Sequence, residues 1–172
     1  YVKEGTEAIN WSLSGKPADE RGIQTDLNHS VRLYQETAVP YGITVIPGAE
    51  ITRNPKVIGH YNALFTTDNN TIYDPDPAQS MRNARAQGAI IMQNHPGWRR
   101  TDLTMMEFET KVYDEGLIDG IEIMNGAEFY PKAIDRALKG GFFMAANTDS
   151  HKSTYENYGM NKSFRNMTLI LA

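Results

Sequence analysis

The sequence predicts an α/β fold with a largely parallel sheet whose two faces are both covered by helices. Apolar segments of strand length alternate along the chain with helical segments of about 10–14 residues, which is typical of βαβ units. The strand segments also lack a regular alternation of polar and apolar residues, as expected for strands that are buried on both faces. A closed barrel and an open doubly wound sheet both fit this pattern. We predict one domain over residues 1–172, because the chain contains no repeat, low-complexity tract or interdomain linker.

The first part of the chain predicts a strand, a loop and a helix. Ala8–Leu13 has the composition of a short strand, and residues 14–27 form a polar loop with two glycines and a proline. Asn28 is a typical N-cap residue, and apolar side chains recur at helical spacing over His29–Val39. Pro40 ends this helix.

Strands and helices then alternate, and glycine or proline marks most of the boundaries. Gly88 ends one predicted helix, Gly116 ends another, and Pro131 suits the first turn of a third. The predicted strands cover 43–51, 60–66, 89–94, 118–125, 142–146 and 167–172. The predicted helices cover Ala78–Gln87, a segment from Thr101 or Asp102 to about Glu115, and Tyr130–Lys139.

Composition and charge exclude several classes of function. The net charge is −4, and the basic clusters are as small as Arg99-Arg100, so nucleic acid is not expected as a partner. No apolar run approaches the roughly 18 residues of a membrane span. The absence of cysteine excludes disulfides, thiolate nucleophiles and cysteine-ligated zinc.

The chain opens on YVKEG, which resembles the end of a helix followed by a glycine stop. We therefore expect residues upstream of Tyr1, and the final predicted strand has no helix after it. The compartment stays open: it is cytoplasmic, or periplasmic or secreted if a signal peptide was removed. The oligomeric state is likewise open.

Polar residues gather at the ends of the predicted strands. Glu50 lies near the end of one strand, His95 follows another, and Asp149 and His151 follow a third, while His60 begins its strand. In parallel α/β folds the carboxyl ends of strands meet on one rim, where chemistry is concentrated. Imidazole and carboxylate groups are ligands that suit Zn, Mn or Fe. Each residue alone is typical of a structural hydrogen bond or a turn, but together they predict a metal site, since unpaired charges rarely enter such positions.

Three basic residues and a tryptophan lie close to these strand ends. Trp98, Arg99 and Arg100 follow the strand that leads to His95, and Lys152 follows His151. An arginine guanidinium matches two phosphate oxygens in geometry, so Arg99 and Arg100 are candidate substrate-binding residues, with Lys152 as a weaker one. The alternative is an ordinary surface loop.

The segments PGAEIT, GHYNALF, QNHPGW and NTDSH, in this order and spacing, resemble the later motifs of the PHP (polymerase and histidinol phosphatase) domain family. The resemblance runs from about Ile43 to the end of the chain. GIEIMNGAEFYP and FRNMTLILA are similar to a phosphoesterase-like subgroup of that family.

The resemblance implies a distorted (β/α)7 TIM-like barrel, without its first strand in this chain, that carries up to three divalent metal ions on its carboxyl rim. It implies hydrolysis of phosphomonoesters or phosphodiesters, with a small phosphorylated molecule as substrate. Glu50 matches a carboxylate that bridges two metals, and His60 and His95 match ligands of one of them. Asp149 matches a ligand of the second metal, and His151 one of the third. Glu50, Asp149 and His151 are thus the implied catalytic residues.

Two departures from the family pattern keep two alternatives open. The H-x-H motif that opens the family is absent, and Ser12-Leu13-Ser14 stands where an acid and a histidine are usual. A degenerate, non-catalytic binding domain on the same scaffold is one alternative. An amidohydrolase-like metal hydrolase is the other, although the GAE and GHYNAL segments fit the PHP pattern better.

Overall fold

A computed structural model describes residues 26–52, 58–98, 100, 102–150 and 166–170. Within these ranges the chain forms four α-helices and six strands. The helices are α1 (His29–Ala38), α2 (Pro77–Ala86), α3 (Glu107–Asp114) and α4 (Pro131–Gly140). The strands are β1 (Gly48–Thr52), β2 (His60–Leu64), β3 (Ile90–Asn94), β4 (Gly120–Asn125), β5 (Glu128–Phe129) and β6 (Phe143–Asn147). The predicted strand Ala8–Leu13 lies outside the described residues.

The mixed α/β fold is confirmed, but the sheet is only partly parallel. Its order is β1-β2-β3-β4-β5, with β6 also paired to β4. β4 runs parallel to both β3 and β6, whereas β2 runs antiparallel to its two neighbours, β1 and β3. Only residues 53–59 separate β1 from β2, which is too short for the crossover that parallel strands need. Over the described ranges the sheet is open.

The boundaries of several elements differ from the sequence prediction. The strand predicted over 43–51 begins only at Gly48, and β2 ends at Leu64 because Phe65 has a φ of +65°. The helix predicted from Thr101 or Asp102 begins at Glu107 instead. Residues 167–170, the described part of the strand predicted over 167–172, contain no strand.

Asn28 precedes α1 as predicted, but its side chain does not cap the helix. Its amide instead donates to Asp68 at 2.7 Å, and its carbonyl accepts from the backbone of Asn69 at 2.8 Å. The start of α1 is therefore tied to the loop after β2. α2, by contrast, has Pro77 at its first position and a side-chain cap from Asp76.

The core lies where α2 and α3 cover the first three strands, with a second cluster under α4. Ala78, Met81 and Ala84 recur on one face of α2 and are buried. In α4, Ala133 and Ala137 lie one turn apart and pack in the cluster that contains Ile121 of β4. The alanines let both helices approach the sheet closely. This packing fixes the strands that carry the site.

The Tyr61 side chain is fully buried in this core, and its hydroxyl has no hydrogen-bond partner among the described residues. Tyr61→Phe is therefore expected to leave the protein as stable as before or to raise its free energy of unfolding by about 1 kcal/mol, since an unsatisfied buried group is removed. Urea denaturation measures this change. A loss of more than about 1 kcal/mol would mean that the hydroxyl has a partner.

Within the described ranges no helix has the length and apolar character that a membrane crossing requires.

Candidate metal centre

The pairing of β1 with β2 brings Glu50 and His60 together. The strands are antiparallel, and Glu50 stands opposite Asn62 while His60 stands opposite Thr52. Because side chains two residues apart share a face, Glu50 and His60 are diagonal neighbours on the same face of the sheet. The Nδ1 atom of His60 lies 3.3 Å from Oε1 of Glu50.

The pairing of β2 with β3 adds His95. His60 stands opposite Asn94, so the next residue of the chain emerges beside it. The imidazole rings of His60 and His95 meet edge to face, with centroids 4.9 Å apart. The Trp98 ring packs against both, at 5.3 Å from His60 and 5.4 Å from His95. One indole thus covers the two imidazoles and limits how they turn.

The backbone of His95 departs from strand geometry at this point. Its φ is +25°, which residues with a side chain rarely adopt. Its N–H donates to the Oε2 atom of Glu122, a buried side chain of the neighbouring strand β4. The direction in which the His95 ring leaves the sheet is therefore linked to Glu122.

The charges of the cluster suit a cation. Burial favours a raised pKa for Glu50, but the hydrogen bond from His60 and the positive charges of His60 and His95 outweigh it and lower that pKa. Burial, with the charge of His60, lowers the pKa of His95, although Asp149 and Glu50 oppose the shift. At neutral pH the site therefore offers an ionised carboxylate and, at His95, a neutral imidazole, which are the forms that bind metal.

The donor atoms are close enough to share an ion. Those of Glu50, His60 and His95 all lie within 4.8 Å of one another. Since each would lie about 2 Å from a bound zinc ion, small side-chain rotations bring all three to one centre. The buried Oδ1 atom of Asn94 has no hydrogen-bond partner among the described residues, so a polar acceptor next to the cluster is left unsatisfied. The residues present thus fit a divalent cation.

Among known proteins, a solved structure is similar to this chain in both sequence and fold. A two-domain protein from Bacteroides vulgatus ATCC 8482, which contains a predicted PHP-like metal-dependent phosphoesterase, shares 34% sequence identity with this chain at a TM-score of 0.73. This chain is similar to a PHP-like protein. The match covers 83% of this chain and 42% of that one, so the chain spans less than half of its neighbour's length. No protein-family model and no curated protein matches the chain.

The match agrees with the resemblance of the sequence to the PHP family. The resemblance of the sequence implies Asp149 as a further metal ligand. It follows β6 with a φ of +48°, and its negative charge acts on the pKa of His95 and of Glu122, so it lies near both. Its carboxylate is not part of the group of three close donors. His151, Lys152 and Arg99 lie outside the described residues.

Arg100 lies in the wall of a pocket of about 200 Å³ that adjoins His60, His95 and Trp98. Its guanidinium is already engaged: one nitrogen donates to Glu109 at 2.7 Å and another to the carbonyl of Thr104. The Arg100 side chain is 20% exposed and Glu109 is fully buried. Arg100 is therefore held rigidly at the edge of the cluster.

A second, wider pocket of about 620 Å³ shares Arg100 with the first. Its wall also includes Phe129, Tyr130 and Lys132. Gly97, in the segment QNHPGW, lines the wider pocket and lies close to Tyr130: a Cβ atom at this position would stand 2.6 Å from the Tyr130 ring. A side chain is not accommodated there, which explains the glycine in the segment.

Sequence reasoning missed Glu122, Gln93 and Glu109, three buried polar residues around the candidate metal centre. Gln93 donates to Glu109 at 2.6 Å and accepts from Tyr113 at 2.7 Å. Burial raises the pKa of Tyr113 to about 12, so its hydroxyl stays protonated as a donor. A glutamate between two isoleucines, as in GIEIMN, is the signal that could have revealed Glu122, because a charge in a buried strand needs partners.

Proposed function

We propose that the chain belongs to the PHP family and is a metal-dependent hydrolase of phosphate esters, with Glu50, His60 and His95 as ligands of a divalent ion. The convergence of these three side chains from separate strands carries the proposal. Sequence identity of 34% to a protein with a predicted PHP-like phosphoesterase supports the same chemistry. Asp149 and His151 are proposed as further metal ligands, and Glu50, Asp149 and His151 as the catalytic residues. The ion is Zn, Mn or Fe, with up to three bound in a complete site.

The residues divide the work of hydrolysis by position. Bound divalent ions supply a water of lowered pKa and an electrostatic clamp on phosphate oxygens. Glu50 would bind the ion through an ionised carboxylate, and His95 through an uncharged imidazole nitrogen. Trp98 lies over both imidazoles and keeps solvent from that side.

The two pockets, which share Arg100 in their walls, suggest how an ester would lie. The smaller pocket, next to the imidazoles, takes the phosphate, and the wider pocket takes the alcohol portion. Arg100 borders both and offers its remaining N–H donors to the non-bridging oxygens. Arg99 and Lys152 are proposed to assist as additional cations. A small phosphorylated molecule is the proposed substrate class.

The open sheet is proposed to be part of a distorted (β/α)7 barrel. The parallel arrangement of β3, β4 and β6, with site residues directly after β3 and β6, supports this. Asn94 ends β3 directly before His95, and Asn147 ends β6 two residues before Asp149.

Hydrolysis of an aryl phosphate tests the function directly. The purified chain, supplied with Mn²⁺ or Zn²⁺, is expected to release p-nitrophenol from p-nitrophenyl phosphate, and a chelator is expected to stop the release because the nucleophilic water is lost. Activity that persists after complete metal removal would contradict the proposal.

Two further measurements test the alternatives, an amidohydrolase-like enzyme and a non-catalytic binding domain. A p-nitroanilide cleaved faster than the phosphate ester would indicate an amidohydrolase-like enzyme. Metal content tests the non-catalytic domain. A catalytic site takes up two or three equivalents of metal, whereas a non-catalytic domain takes up one or none and cleaves neither substrate.

A further inference from the structure

Glu122 is a buried carboxylate at the centre of β4 with uncharged partners. Its side chain is 2% exposed, and its Oε2 atom accepts from the backbone N–H of His95 and from Asn125 at 3.0 Å. Its Oε1 atom accepts from Asn147 at 2.8 Å. Among the described residues no basic side chain forms an ion pair with it. Such a carboxylate is costly to bury, so its three N–H partners need to be well placed.

Glu122 provides an acceptor for the backbone N–H of His95, which lies beyond the paired part of the sheet. The parallel pairing of β3 with β4 ends at Gln93 and Ile121. The chain then leaves the strand, and His95 takes its φ of +25°. Without the Glu122 side chain its N–H would be a buried donor in need of an acceptor, since His95 is only 8% exposed. The carboxylate of Glu122 accepts it.

We propose that Glu122 is a positioning residue of the metal centre: it holds the backbone of His95 in the conformation that directs the imidazole toward Glu50 and His60. This rests on the proposed function of the cluster. Glu122 acts through His95, because its own oxygens are occupied by three N–H donors and its side chain is not among the three close donor groups. Partners of this kind fix the orientation of a ligand before the metal arrives.

Two conservative variants separate position from charge. Glu122→Gln removes the charge but keeps an oxygen for His95 and Asn125, and a flip of the Asn147 amide satisfies the new NH₂ group. Glu122→Asp keeps the charge but shortens the side chain by one methylene, so that it no longer reaches His95 and Asn147 together. If Glu122 works by position, the glutamine variant stays close to the parent and the aspartate variant does not.

Zinc titration of the full chain by calorimetry is the first measurement. We expect Glu122→Asp to weaken zinc binding by about 10–100-fold, the range found for such outer partners, and Glu122→Gln to change it by less than about threefold. Parental affinity in Glu122→Asp would overturn the proposal. So would an equal loss in both variants, because it would mean that charge or direct ligation is what matters.

Hydrogen exchange of the metal-free protein is the second measurement and needs no zinc. The His95 amide is expected to exchange slowly in the parent and in Glu122→Gln, and at least tenfold faster in Glu122→Asp, at unchanged melting temperature. Equal exchange in the two variants would overturn the proposal whatever the zinc result. Failure of the parent chain to bind zinc would instead overturn the proposed function.

Asp119 provides a matched control at the other end of β3. Its carboxylate also accepts a backbone N–H of that strand, from Ile91 at 2.8 Å, and pairs with Arg85 at 2.6 Å. Asp119→Glu displaces this carboxylate by one methylene, the reverse of the change at Glu122. It is expected to speed exchange of the Ile91 amide while zinc affinity stays at the parental value. A loss of zinc affinity here would overturn the proposal by showing that any disturbance of β3 is enough.

Discussion

Glu50→Gln is expected to lower zinc affinity by more than about 100-fold, beyond the range for residues that only support a ligand. The substitution keeps the size of the side chain but removes the only anionic donor among the three groups that meet within 4.8 Å. It also removes the charge that His60 and His95 face. Calorimetric titration with Zn²⁺ measures the affinity, and release of p-nitrophenol is expected to fall to the level of the chelated protein.

Glu36→Gln serves as the control for this change. Glu36 is an exposed carboxylate on α1, so the variant loses the same charge away from the cluster. Zinc affinity and the rate of hydrolysis are expected to match those of the parent. If Glu50→Gln retained both properties, the cluster would not be the metal centre.

Glu109→Leu is expected to destabilise the protein by about 3–5 kcal/mol, the usual result when one partner of a buried ion pair is removed. Glu109 is fully buried and accepts from Arg100 at 2.7 Å, from Gln93 at 2.6 Å and from the backbone N–H of Met106 at 2.9 Å. Leucine fills the space but leaves all three donors without an acceptor. Urea denaturation gives the free energy of unfolding.

Glu107→Leu, two residues earlier on α3, is the matched control because Glu107 is exposed. A change within about 0.5 kcal/mol is expected there. Similar losses in both variants would indicate that the effect belongs to the helix and not to the buried pair. Glu109→Gln, which keeps one acceptor oxygen, is expected to fall between the two.

The sequence predicted most elements because their signals are local. Pro131 lies in the first turn of α4 and Gly116 follows the end of α3, both as expected. The predicted start of α3, at Thr101 or Asp102, was wrong. Asp102 is a residue type that often caps helices, but here it accepts from the backbone N–H of Thr104 at 2.8 Å in a turn. The helix begins five residues later, at Glu107.

The direction of strands could not be predicted from residue patterns alone. Polar residues at strand ends pointed to Glu50 and His95, yet His60 begins its strand and did not fit that pattern. The antiparallel course of β2 accounts for it, since the start of β2 lies at the same edge as the ends of β1 and β3. Glu122 and Glu109 were missed because burial of a carboxylate depends on partners that are distant in sequence: His95 for the first, Gln93 and Arg100 for the second.

The antiparallel run of β1, β2 and β3 also bears on when the site can assemble during synthesis. Its three close donors all fall between residues 50 and 95, on or directly after strands that are neighbours in the sheet, so all of them precede Asp149 in the chain. Capture of an ion by this portion would couple metal uptake to the docking of three strands, before the segment that carries Asp149 has left the ribosome. In a metal-depleted cell the nascent chain would then have to dock these three strands without the ion.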